Sequence, residues 1–62
     1  MSQLIELTKM DTRKMLINAS LIETVEANPD TVIVMQSGRK LLVKESIEEI
    51  FKLINPYWYL ES

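Results

Sequence analysis

Thr31-Val32-Ile33-Val34-Met35-Gln36-Ser37-Gly38-Arg39-Lys40-Leu41-Leu42-Val43-Lys44 sets two short apolar runs on either side of a Ser-Gly pair. The first run, Thr31 to Gln36, is rich in β-branched residues, which pack well on a pleated surface. Gly38 is the only glycine in the chain. Its place between two strand-like runs predicts a backbone angle that other residues resist, and hence a hairpin returning through Arg39 to Lys44.

Upstream, Asn28-Pro29-Asp30 is the strongest break, because Pro pushes the residue before it away from helix while Asn and Asp suit turns. Before it, Ile22 to Ala27 predicts a third strand. Asn18-Ala19-Ser20 interrupts the apolar pattern and predicts a bend or a helical turn. At the amino end, Leu4 to Lys9 alternates, with Ile5 and Leu7 on one face and Glu6 and Thr8 on the other. Asp11-Thr12-Arg13 turns it into Met15, Leu16 and Ile17, a hairpin whose turn type is unclear without a glycine.

Downstream of the quoted stretch the period changes. Ile47, Ile50, Phe51 and Ile54 fall at i, i+3, i+4 and i+7, which predicts one apolar helix face over 46–54, packed on the sheet with Phe51 buried. Ser46 followed three residues later by Glu49 matches a capping box. Asn55-Pro56 stops the helix. Tyr57-Trp58-Tyr59-Leu60 follows as an aromatic tail within 57–62. The predicted fold is mainly β with one helix (α+β): a small antiparallel sheet or partly open barrel of about five strands over 4–44, followed by a C-terminal amphipathic helix, all in a single domain, 1–62.

Composition limits what such a domain does. The chain has 62 residues, and domains near this size bury only about 60% of their unfolded surface, so stability is thin without disulfides, a metal or a partner chain. Cys and His are both absent, which removes the usual zinc and haem ligands and leaves a partner chain as support, a second copy included. Net charge is -2 and the pI is about 4.9, a poor balance for neutralising phosphates, so no nucleic acid is expected. No apolar run approaches a membrane span and no signal peptide is evident, so the chain reads as cytoplasmic without membrane insertion. At 47% hydrophobic the chain is expected to fold.

Chemistry-bearing groups are few. Glu23, Glu26, Glu45, Glu48 and Glu49 are the obvious carboxylates for acid-base work, but a solvated face with helix N-terminal charges explains them more simply. Ser20, Ser37 and Ser46 have no His to activate them, and one glycine cannot build a phosphate loop. No catalytic, cofactor or metal site is predicted. The four methionines, Met1, Met10, Met15 and Met35, fit core filling better than an adaptable surface. Tyr57, Trp58, Tyr59 and Leu60 are the candidate protein-interaction residues, because Tyr and Trp often dominate interfaces; folding back over an open sheet face is the competing reading.

Leu16-Ile17-Asn18, Leu21-Ile22-Glu23, Ala27-Asn28-Pro29-Asp30-Thr31-Val32-Ile33, Gly38-Arg39-Lys40 and Val43-Lys44-Glu45-Ser46 form an ordered series. That series resembles the FlbD family of small flagellar proteins, also called the swarming motility protein SwrD family, over Leu4 to Ile54. Asp11-Thr12-Arg13 departs from it, since family members commonly carry a Gly-containing turn there. The resemblance implies a cytoplasmic, non-enzymatic protein of flagellated bacteria that supports motor power and swarming, with a flagellar motor or stator component as partner. The motif positions Asn18, Pro29, Asp30 and Gly38 are read as fold determinants.

A second reading is a small RNA-binding regulator similar to the carbon storage regulator family, which has a similar length and strand-then-helix order. Leu7-Thr8-Lys9 and Glu48-Glu49-Ile50-Phe51 echo its ends. Its basic edges are poorly matched here, where seven Lys and Arg face nine acids.

Overall fold

The computed structural model describes residues 3–55. It contains β1 (Leu4–Thr8), β2 (Lys14–Asn18), a 3₁₀ turn (Ala19–Leu21), β3 (Ile22–Ala27), β4 (Thr31–Met35), β5 (Lys40–Val43) and α1 (Ile47–Ile54). Strand and helix order agree with the sequence reading, and the ends differ by a residue or two. The strands form two open sheets, β1-β2 and β3-β4-β5, every pairing antiparallel. They do not close into a barrel.

The first sheet pairs Ile5 with Ile17 and Leu7 with Met15, which aligns the apolar alternation of both strands on one face. Ile5, Leu7, Ile17, Ala19, Ile33, Val43 and Ile50 are buried together, with Met15, Ile22, Val25, Met35, Leu41 and Ile54 packed against them. Leu7 and Ile33, both 0% exposed, anchor the cluster from the two sheets. Met15 and Met35 thus fill core space, as expected, whereas Met10 lies exposed.

Asn18 makes the break between β2 and β3. Its side-chain oxygen accepts from the Ser20 backbone N–H at 3.0 Å and from the Ser20 hydroxyl at 2.6 Å, turning the chain through the 3₁₀ segment. Asn28 and Pro29 are joined by a cis peptide, and the Asn28 N–H donates to the Asp30 carbonyl at 2.9 Å between β3 and β4.

Two hairpin loops share one backbone design. In the loop between β4 and β5, Met35 N–H donates to the Arg39 carbonyl at 2.8 Å and Gly38 N–H to the Met35 carbonyl at 2.8 Å, with Gly38 at φ +94°. Between β1 and β2, Lys9 N–H donates to the Arg13 carbonyl at 2.8 Å and Thr12 N–H to the Lys9 carbonyl at 2.9 Å, with Thr12 at φ +75°. Both are three-residue loops whose last residue is left-handed, a position that ordinarily takes Gly. The turn type left unclear by the sequence is therefore the one seen at Gly38, built without the glycine.

The helix carries the predicted capping box. Glu49 N–H donates to the Ser46 hydroxyl at 3.1 Å, and Ser46 N–H to the Glu49 carboxylate at 2.9 Å. At the other end Gln3 Nε2 donates to the Ile54 carbonyl at 2.6 Å, satisfying a carbonyl the helix leaves without an internal partner.

One expectation about this helix is corrected. Phe51 is 51% exposed, whereas Ile50 is 1% exposed. At 100° per residue, Ile50 and Ile54 lie about 40° apart and define the direction facing the core, while Phe51 and Leu53 flank that direction by about 80° on either side. An eight-residue helix with its buried stripe centred between Ile50 and Ile54 leaves both flanks exposed.

Candidate interaction surface

The predicted interaction residues Tyr57, Trp58, Tyr59 and Leu60 lie outside the described residues.

The two sheets meet at one corner. Lys9 bridges to Val43, and Lys44 N–H donates to the Thr8 carbonyl at 2.9 Å, so the end of β1 runs antiparallel beside the end of β5. Glu45 fastens that corner. Its carboxylate accepts from the Thr8 backbone N–H at 2.9 Å and from the Thr8 hydroxyl at 2.7 Å, while Lys14 Nζ donates to the same hydroxyl at 2.9 Å. Partial burial pushes the Glu45 carboxyl up, but the two Thr8 hydrogen bonds and the Lys14 charge outweigh it and hold the group below its ordinary value. Among the carboxylates weighed for acid-base chemistry, Glu45 thus ties the chain together and Glu49 caps the helix. Among the described residues no group of three or more acidic side chains stands close enough to hold a metal ion.

Beyond the corner the two sheets part. The chain of β1 turns away at Met10, leaving a groove of about 360 Å³ between the first hairpin loop and β5. Met10, Met15, Leu41 and Leu42 supply its apolar surface, and Lys9 and Lys40 stand at its rim. Asp11 also borders it, but its carboxylate is engaged by the Arg13 Nε at 2.8 Å. The Arg13 backbone N–H is the main cause that keeps the Asp11 carboxyl below its ordinary value, and the guanidinium adds to it.

Charge is unevenly placed around this groove. Six of the seven basic residues fall within 9–14 and 39–44, the two segments that border it, in a chain that is acidic overall. That spacing was visible in the sequence, but the adjacency of the two segments was not. A second apolar surface, formed by Ile47 and Phe51, lies on the exposed flank of α1.

No described helix is long and apolar enough to cross a membrane. The family model described as flagellar and swarming motility proteins, FlbD, matches residues 4–58. The comparison with curated proteins found no match, and that with solved structures found none. The matched span takes in both sheets, the helix and the groove, and extends over most of the sequence, so the chain belongs to the FlbD family of flagellar and swarming motility proteins.

Proposed function

We propose that this domain is a non-enzymatic accessory of flagellar motility that acts in the cytoplasm through contacts with other proteins and supports motor power and swarming. The family match over residues 4–58 carries this reading. The chemistry of the described residues supports it: the serines lack an activating base, and the best-placed carboxylate is committed to the Thr8 hydroxyl and N–H. An exposed apolar groove and an exposed helix flank are features a binding module uses. A component of the flagellar motor is the partner this reading favours.

Deletion in a flagellated host tests it. The expected result is cells that still build flagella but swim and swarm with reduced motor torque, restored when the full chain is supplied. Normal torque and swarming after deletion would contradict the proposal. Truncation after Pro56 then separates the tail: lost motility with an unchanged melting temperature assigns Tyr57 to Leu60 to a contact.

A further inference from the structure

The groove at the parting of the two sheets has three properties that together describe an occupant. It has an apolar floor, a cationic rim and a strand edge that β1 leaves uncovered at Lys40. The hydrogen bond from Met35 N–H to Arg39 makes these two a bonded pair, so in an antiparallel ladder Leu41 and Val43 also point their backbone groups at β4. Lys40, Leu42 and Lys44 then point theirs the other way. Lys44 N–H confirms the alternation by donating to Thr8 on β1. The Lys9 to Val43 bridge sets Leu42 across from Met10, where the first hairpin turns away, so the backbone groups of Lys40 face the groove.

The loop that turns away is itself strained. Thr12 is β-branched and sits at φ +75°, where such residues are outliers. Backbone strain of this kind gathers at ligand-binding positions.

We propose that β5 receives an extended, acidic segment of a partner protein as an added strand, with apolar side chains on Met10, Met15 and Leu41 and carboxylates at Lys9 and Lys40. Backbone pairing supplies affinity in such strand addition, and the alternating side chains supply selectivity. The rim charge selects an acidic partner, because Asp11 is offset by Arg13 and leaves Lys9 and Lys40 to set the sign. A concave apolar floor takes side chains from a peptide, whereas a phosphate backbone has no use for it. The proposal rests on the reading of the domain as a protein-contact module and adds where the contact is and what it selects.

Amide-resolved NMR titration of the full chain tests it, with a short peptide alternating Glu with Val and Leu as the probe. Saturable shifts are expected at Lys9 to Asp11 and Lys40 to Leu42. Polyglutamate of equal length, and the same peptide with Lys in place of Glu, should bind at least about tenfold more weakly, since one lacks the apolar anchors and the other the complementary charge. Lys9→Glu with Lys40→Glu, and separately the milder Leu42→Ser, should each weaken the peptide by about tenfold or more. Shifts confined to the helix flank, no saturable shifts, equal binding of polyglutamate, or tighter binding of a single-stranded RNA at the same residues would each overturn the proposal. If a variant fails to fold, the peptide series on the parent chain decides alone. Failed peptide binding in a protein that still restores motility to the deletion strain would remove the groove and leave the flagellar role standing.

Discussion

The two hairpin loops have the same backbone hydrogen bonds but different residues at the left-handed position, Gly38 in one and Thr12 in the other. At Gly38 the requirement for positive φ is met by the residue that meets it at least cost, and a Cβ added there would find nothing within 4 Å. At Thr12 the same requirement is imposed on a β-branched side chain. The loop around Gly38 joins two strands of one sheet, whereas the loop around Thr12 borders the groove where the sheets part. Local propensity therefore shapes the first loop, and in the second it is overridden by the pairing of β1 with β2, at the place where a binding surface is proposed.

The largest effect should come from removing the core that holds both hairpins in register. Leu7→Ala in the first and Ile33→Ala in the second should each cost about 2 to 5 kcal/mol, most of the stability of a domain this small. Ile50→Ala should fall in the same range and exceed Phe51→Ala, because Ile50 is the buried member of the pair. Denaturant unfolding of these variants measures the order directly. A Phe51→Ala loss as large as that of Ile50→Ala would contradict the helix orientation.

Next come the loops themselves. Gly38→Ala should destabilise by about 1 to 2 kcal/mol through backbone strain alone, since its surroundings are open. Thr12→Gly should stabilise by about 1 kcal/mol, the strain relieved being partly offset by the greater freedom of glycine in the unfolded chain. Opposite signs from these two substitutions are the sharpest check on the comparison. If Thr12→Gly lowers the melting temperature, the loop around Thr12 is not the strained one.

The corner between the sheets should show a smaller, pH-dependent effect. Glu45→Gln should cost about 1 kcal/mol at neutral pH, because the amide keeps an acceptor for Thr8 but loses the charge. The Glu45 carboxyl is held below its ordinary value of 4.5, so its contribution is fully present above that value and is lost as pH falls through it and lower. The parent and Glu45→Gln proteins should therefore differ in stability at pH 7 and converge in acid. A constant difference from pH 7 down to pH 2 would show that the charge on Glu45 contributes nothing.

Much of this was legible in the residues. The alternation of Ile5 and Leu7, the Ser46 to Glu49 cap and the Gly38 turn are local signals, and each appears where periodicity or turn chemistry places it. Phe51 was misplaced because an i, i+4 pattern shows which residues share an arc of helix and not where the centre of that arc points. The Thr8 to Glu45 clamp spans 37 positions and depends on the two sheets meeting, so nothing local announces it. The groove is hidden for the same reason, although the clustering of basic residues in two distant segments was there to be seen.

Torque in a deletion strain carrying Lys9→Glu with Lys40→Glu, set beside the parent chain, tests the functional claim most directly. Motor torque and swarming should remain low with the variant although it is present at parental levels with a parental melting temperature, while the parent chain restores both. Full restoration by the folded variant would contradict the claim that this domain supports the motor through the groove beside β5.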